Sequence, residues 1–226
     1  MRALDSFDIA RLQVQRTARV VTFGERTAAV RQVWIACHGY GQLALGFAAQ
    51  LSALQGPDRF VCVPEALNRF YLDDHGGQHG PQHPIGATWM TREERAAEID
   101  DYCGYLDAVY DSAHVAFAHR PKVIALGFSQ GAATVSRWAA RTQRALDHVV
   151  LWGSGLAADL DPERALFGTA SLTIVAGRRD RNVSAHAIAQ EQQRLTAGGL
   201  THTVEQFDGG HRMDDDTLLR LADAFG

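Results

Sequence analysis

Residues 122–140 read KVIALGFSQGAATVSRWAA. The first seven, Lys122–Phe128, form an apolar run rich in strand formers, as a strand buried on both faces requires, and the small residues from Gln130 onward fit a helix. Between them stands Gly127-Phe128-Ser129-Gln130-Gly131, a G-x-S-x-G pentapeptide at a strand-to-helix turn. A serine on such an elbow is forced into a strained backbone conformation, so both flanking glycine positions must lack bulk for the turn to close against its neighbours. The turn lifts the serine Oγ above the sheet edge. It also leaves N–H groups at the helix N-terminus unpaired, ready to bind developing negative charge. Ser129 is therefore the candidate nucleophile.

Outward from this stretch, similar runs recur at Val33–Cys37, Phe60–Val63, Val149–Trp152, Leu172–Ala176 and Thr203–Phe207, after a more polar pair near Leu12–Arg16 and Arg19–Phe23. Helical patterns fall between them. Thr91 and Glu94 read as a capping box, followed at helical spacing by Ile99, Tyr102, Cys103, Leu106, Val109, Tyr110 and Ala113 until Pro121. Further helices fit Leu43–Leu54, Gln130–Arg144, Ala185–Thr196 and Met213–Ala224. With no linker and no repeat, the expectation is a single α/β domain over residues 1–226, with a mostly parallel central sheet flanked by helices and an antiparallel N-terminal edge.

Composition narrows the function. The 226 residues are 46% hydrophobic and 21% charged, with 21 Gly and 6 Pro, which suits a globular chain and excludes collagen and low-complexity readings. Such a length buries roughly 70% of the unfolded surface, enough for a core without disulfide or metal. Cys37, Cys62 and Cys103 lie apart in apolar stretches and read as small buried hydrophobes in a reducing compartment. A net charge of −4 offers no basic field for nucleic acid. No apolar run has the length of a membrane span, and Arg2, Asp5, Asp8 and Arg11 occupy the place of a signal sequence, so a cytoplasmic location is expected.

A serine hydroxyl needs a base and an orienting carboxylate, expected in this architecture as acid and then histidine, each in a loop after a later strand. Asp180 follows Leu172–Ala176 in GRRDRNV, and His211 follows Thr203–Phe207 in DGGH. Asp208, three residues before His211, is a second candidate for the carboxylate. One oxyanion donor should come from the loop after Val33–Cys37, His38-Gly39-Tyr40-Gly41-Gln42, whose glycines let the backbone turn its amides toward the serine. The expected donors are the N–H groups of Tyr40 and Gln130. The Tyr40 phenol either adds a further donor or packs over the pocket mouth.

His75, His79 and His83 recur every four residues, a zinc-like spacing on a helix. Gly76, Gly77, Gly80, Pro81 and Pro84 argue against that helix, so the stretch reads as a polar loop and no metal is expected. Asp214, Asp215 and Asp216 suit the first turn of a helix. The segment 67–90 follows Phe60–Val63 at the carboxyl edge of the sheet and reads as a mobile insert walling an acyl pocket. Trp89, Met90, Phe128, Trp152 and Ser154 are the expected pocket residues.

Taken together, HGYGQ, GFSQG, GRRDRNV and DGGH resemble the phospholipase/carboxylesterase family of α/β-hydrolases, which includes acyl-protein thioesterases and bacterial carboxylesterases. The resemblance runs from about Val33 to the C-terminus and implies an α/β-hydrolase fold, with Ser129 as nucleophile, Asp180 as acid and His211 as base. Two features depart from it. The usual H-G-L-G-D carries Tyr40 and Gln42 here, and the histidine-rich stretch Leu67–Met90 replaces the usual segment before the long helix. The expected protein is a serine hydrolase acting on a small-molecule carboxylic ester or thioester through an acyl-enzyme, without a cofactor. The same constellation also serves amide and peptide hydrolysis, and a non-catalytic binding module of this fold would carry a damaged triad.

Overall fold

A strand whose side chains are apolar on both faces must be covered on both faces, and this requirement organises the chain. The computed structural model describes residues 8–73, 80–114, 117, 119–163 and 167–226. Seven strands form one sheet: β1 (Val20–Phe23), β2 (Gln32–Cys37), β3 (Arg59–Pro64), then β6 (Lys122–Phe128), β7 (His148–Trp152), β8 (Ser171–Gly177) and β9 (His202–Phe207). Their spatial order is β1-β3-β2-β6-β7-β8-β9. Every pairing is parallel except β1 with β3, where Val20 lies opposite Pro64 and Phe23 opposite Val61. The antiparallel N-terminal edge is therefore present.

Alternation along the strands divides the core in two. Val33, Ile35 and Cys37 of β2 and Val123 and Ala125 of β6 face one layer, which is closed by α2 (Arg95–His114), α3 (Gln130–Ala139) and α4 (Ala185–Ala197). Trp34 and Ala36, with Ile124 and Leu126, face the other, closed by α1 (Ala44–Gln50), the short turn Ser52–Leu54 and α5 (Asp215–Ala224). Cys37 and Cys62 are buried and Cys103 is partly so, and burial pushes the Cys62 thiol up to about 12 and that of Cys103 up to about 11. No helix among the described residues is long and apolar enough to cross a membrane.

Several local readings are corrected. Leu12–Arg16 forms no strand: Leu12 and Val14 are exposed, and Arg11 and Arg16 bond Glu94 and Asn68 instead. Alternation of apolar residues makes a strand only where a free sheet edge accepts it, and the β3 edge takes only Val20–Phe23. The expected capping box does not form: α2 begins at Arg95, four residues past Thr91, whose Oγ1 accepts the Glu93 N–H at 3.2 Å. Glu94 has a left-handed backbone (φ 48°) and pairs with Arg11, while Glu98 Oε2 accepts the Thr91 N–H at 2.6 Å. The helix then ends at His114, well before Pro121. The helix after the elbow stops at Ala139 rather than Arg144, and Leu43–Leu54 divides into α1 and the Ser52–Leu54 turn.

The segment 67–90 is not simply a loop. β4 (Asn68–Tyr71) and β5 (Ile85–Thr88) pair antiparallel as a small second sheet. His83 Nδ1 lies 2.9 Å from an Asp73 carboxylate oxygen, whereas His75 and His79 fall outside the described residues. The base of the hairpin is anchored by Glu65. Its carboxylate is buried, accepts from Arg19, from Arg69 Nε at 2.6 Å and from the Ala44 N–H at 3.2 Å, and so ties the end of β3 to the approach to β1, to β4 and to the start of α1. Burial alone would raise this carboxyl; the two guanidinium groups and the amide outweigh it and hold the group below its ordinary value.

Trp89, expected in a pocket wall, is a core residue with 1% exposure. Its Nε1 donates to the His38 carbonyl at 2.9 Å, and its ring packs against those of His38 and Tyr102. His38 is itself fully buried. Its Nδ1 lies 2.8 Å from the Gly39 carbonyl and its Nε2 accepts the Ala66 N–H at 3.0 Å, which assigns a neutral ring protonated on Nδ1. Burial holds this imidazole below its ordinary value, against the Gly39 bond and the Glu65 charge.

Trp89→Ala is expected to cost about 3–5 kcal/mol of stability, measured by urea unfolding, because it empties a packed site and orphans a buried carbonyl. A loss under about 1 kcal/mol would return Trp89 to the surface of a pocket. The pH dependence follows from His38 and from His148, which burial also holds low. The unfolded chain protonates these rings more readily, so their contribution to stability is complete above about 6.5 and falls as pH drops below it. His38→Gln should flatten the change in urea midpoint between about pH 7.5 and about pH 5.5, where carboxylates contribute little. An unchanged slope would place the sensitivity elsewhere.

Candidate active site

The elbow at Ser129 is strained as its sequence requires: φ is 54° and ψ −116°. Ser129 N–H donates to the Trp152 carbonyl at 2.8 Å, which fixes the turn to the end of the neighbouring strand. A Cβ at Gly127 would lie 2.1 Å from the Gly131 carbonyl oxygen, and one at Gly131 would lie 2.1 Å from that of Cys37. The first contact is within the elbow; the second joins it to the end of β2. Glycine at both positions is thus a packing requirement that brings the loop after β2 onto the elbow.

That loop is braced from several sides. Gly39 N–H donates to Gln42 Oε1 at 2.8 Å, and Gln42 N–H to the Gly39 carbonyl at 3.2 Å. Here the amide of Gln42 supplies the acceptor where the related H-G-L-G-D pattern has a carboxylate. Gly41 N–H donates to the Ala87 carbonyl at 2.9 Å and Ala87 N–H to the Gln42 carbonyl at 3.2 Å, so β5 docks directly on the loop. The Gln130 side chain completes the clamp: its Nε2 donates to Thr88 Oγ1 and to the Met90 carbonyl, and its Oε1 accepts the Trp89 N–H at 3.2 Å. Among the described residues, the backbone N–H groups of Tyr40 and Gln130 donate to no protein acceptor. Both flank the elbow, one from the loop and one from the first position of α3. The Tyr40 ring is 61% exposed and packs against Phe70 of β4, with centroids 5.1 Å apart.

Asp180 and His211 meet. His211 Nδ1 is 2.7 Å from Asp180 Oδ2, while Asp180 Oδ1 accepts the N–H groups of Asn182 at 2.8 Å and Val183 at 3.2 Å. The carboxylate is buried and oriented by three donors. The two loops are joined through Arg178 N–H to the Phe207 carbonyl and Arg179 N–H to the Gly209 carbonyl. Asp208, the other candidate acid, faces away and pairs with Arg179 at 3.1 Å, with both side chains largely exposed. His211 packs on the Phe128 ring, with centroids 4.8 Å apart. It also leans on Gly153, whose φ is 65° and where a Cβ would lie 3.0 Å from His211 Cε1. Phe128 and Gly153 each adjoin a partner in the Ser129–Trp152 bond, so the imidazole is held at the elbow.

A cleft of about 460 Å³ opens beside His211, lined in part by Phe128, Gln42 and Met213. Of the expected pocket residues, only Phe128 lines it. Trp152 is fully buried, with Nε1 donating to the Arg212 carbonyl. Met90 takes part through its backbone carbonyl and packs against the core. Ser154 is half-buried in the turn after β7. Proximity to strand ends marked these residues in the sequence, but it does not show whether a side chain points into the sheet layers or out of them. The roles of Gln42 and the Gln130 side chain were missed; a glutamine directly after an elbow serine is the one local signal that pointed to the second. Among the described residues, no cluster of His, Cys, Asp and Glu has the arrangement of a metal site.

Residues 19–224 match the family described as Phospholipase/Carboxylesterase. A comparison with curated protein sequences finds no match. Among solved structures, the chain is similar to esterase PE8 (20% identity, TM-score 0.67, covering 93% of this chain and 98% of that one). It is also similar to Zea mays acyl-protein thioesterase 2 (16%, 0.66, 93% and 100%) and to the Bacillus cereus carboxylesterase (16%, 0.64, 92% and 93%). At these identities the structural likeness speaks for the shared α/β-hydrolase fold. The family match extends over nearly the whole chain and includes the elbow, the acid loop and the histidine loop, and on that ground the chain belongs to the phospholipase/carboxylesterase family of hydrolases.

Proposed function

We propose that the protein cleaves carboxylic esters or thioesters through an acyl-enzyme on Ser129, with His211 as general base and acid and Asp180 as the group that orients it. The observation that carries this reading is the 2.7 Å contact of His211 Nδ1 with a buried, fully hydrogen-bonded Asp180, beside a serine held at φ 54°.

In this reaction Ser129 Oγ bonds to the substrate carbonyl carbon as its proton passes to His211 Nε2, and the carbonyl π pair moves onto oxygen. The oxyanion lies between the Tyr40 and Gln130 amides, at the positive end of α3. As it collapses, the bond to the leaving oxygen or sulfur breaks and His211 returns the proton to that atom. Water then repeats the sequence on the acyl-serine, giving the acid and free Ser129. Asp180 fixes the imidazole so that Nε2 faces the serine and steadies the positive ring that forms. Tyr40 contributes its main-chain amide, which is supported by the exposed position of its ring against Phe70.

A fluorophosphonate probe should modify Ser129 stoichiometrically, read by peptide mass spectrometry. Ser129→Ala should abolish labelling and lower turnover of a nitrophenyl ester on the order of a millionfold without loss of fold. Labelling that persists in this variant would move the nucleophile elsewhere. The two acids are separated by conservative amides. Asp180→Asn should lower turnover about ten-thousandfold by favouring the wrong tautomer, whereas Asp208→Asn, which breaks only a surface pair, should change it less than about threefold. The reverse order would transfer the orienting role to Asp208.

A further inference from the structure

The cleft beside His211 has a composition that the reaction itself does not require. Its apolar lining comes from the buried side chains of Phe128 and Met213 and from the exposed Ala49. The rest of its lining is polar: Gln42, Gln50 and Ser52 on the side of α1, and Arg212 and Asp215 at the start of α5. Gln42 holds Gly39 through Oε1 and has Nε2 left as a donor. Arg212 is committed to Asp214 Oδ1 at 3.0 Å and to the Met213 carbonyl at 2.9 Å, so its charge is met within the protein. Asp215 has no ion-pair partner among the described residues and sets a carboxylate at the cleft beside the paired Arg212.

We propose that this cleft is the leaving-group subsite and that it takes an uncharged polyol, such as a glycerol or sugar moiety esterified at a hydroxyl. The proposal rests on the reading of Ser129, His211 and Asp180 as the catalytic triad. The base that activates Ser129 must deliver its proton to the leaving oxygen, so the group carrying that oxygen lies against His211, and this cleft is bounded by His211. A polyol has C–H faces for Phe128 and Met213 and hydroxyls for Gln42, Gln50 and Ser52. A simple alkanol would displace water from those polar side chains and return no hydrogen bonds. A phosphorylated alcohol would bring its charge toward the Asp215 carboxylate.

The test uses partition of one acyl-enzyme, so that the acyl pocket cancels. The enzyme is acylated from p-nitrophenyl butyrate in the presence of glycerol, 1-propanol or glycerol 3-phosphate at equal concentration, and the new ester is measured against free butyrate. In each transfer the acceptor hydroxyl gives its proton to His211, its oxygen bonds to the acyl carbon, and Ser129 Oγ departs with that proton. After correction for its two primary hydroxyls, glycerol should capture the acyl group about tenfold better than 1-propanol, the effect of one or two hydrogen bonds. It should also outcompete glycerol 3-phosphate. Gln50→Leu combined with Ser52→Ala should bring glycerol down to the level of 1-propanol, and Asp215→Asn should improve capture of glycerol 3-phosphate about threefold. Fluorophosphonate uptake by each variant verifies its folded site. Equal capture of glycerol and 1-propanol by an enzyme that takes up the probe at Ser129 overturns the polyol subsite and leaves the triad standing. An unchanged glycerol preference in the double variant overturns it as well. Failure of Ser129 to take up the probe overturns the triad reading, and this subsite with it.

Discussion

The contact between the Gly131 backbone and the carbonyls at the end of β2 is the constraint on which the rest of the site depends. It forces the first turn of α3 to sit against the oxyanion loop, at a distance where any side chain at position 131 would overlap the Cys37 and His38 carbonyls. The same approach holds Ser129 at positive φ, an arrangement worth about 1–3 kcal/mol of strain that only a surrounding structure with fixed dimensions can maintain. Those dimensions come from the parallel pairing of β2 with β6, in register from Gln32–Lys122 to Cys37–Gly127, and from the Ser129–Trp152 bond that extends β6 against β7. Strand register is therefore translated into the position of Ser129.

Around this contact the polar groups are arranged so that two amides remain open while their neighbours are satisfied. Gly39 N–H is taken by Gln42 and Gly41 N–H by Ala87, which leaves Tyr40 N–H between them without an acceptor among the described residues. On the opposite side Gln130 uses its side chain to hold Thr88, Trp89 and Met90 and keeps its own backbone N–H open. An unpaired amide at a site of charge development is the form that preorganised electrostatic stabilisation takes, since no reorganisation is needed as the oxyanion forms. His38 serves the same end from below. Its neutral ring joins the Gly39 carbonyl to the Ala66 N–H, and protonating it would turn the second bond from attraction to repulsion.

What was legible in the sequence follows from the range of the interactions concerned. The continuous apolar runs identify the parallel strands because burial on both faces is a local property of each strand. The G-x-S-x-G elbow is legible because its pattern is contiguous and the Gly127 requirement is met inside the pentapeptide, although the Gly131 requirement is set by the distant end of β2. The order of Asp180 and His211 after their strands was readable for a similar reason, though the choice between Asp180 and Asp208 depended on which carboxylate the loop turns inward. Long-range polar contacts were not legible. Nothing near Glu65 announces that Arg19 converges on it together with the neighbouring Arg69, and nothing near Trp89 announces a bond to His38. The glycines and prolines of 67–90 suggested a loop, yet Asn68–Tyr71 and Ile85–Thr88 pair as strands because Gly41 and Gln42 offer β5 a backbone partner that lies more than forty residues away.

These contacts divide the surroundings of Ser129 into two sides with different freedom to change. On the hairpin side, β5 exchanges backbone hydrogen bonds with the loop after β2 and is clamped by Gln130, so a substitution there that shifts the backbone also shifts the Tyr40 and Gln130 amides. On the side of α1 and α5, Gln50, Ser52 and Asp215 project from helical or turn positions whose own backbone does not touch the loop or the elbow through any hydrogen bond among the described residues. Their side chains can be exchanged while the nucleophile and its amides stay in place. In the proposed reaction, selectivity for the departing group would therefore vary independently of the chemistry on this side, whereas the hairpin side would be bound to the chemistry by the same hydrogen bonds that position it.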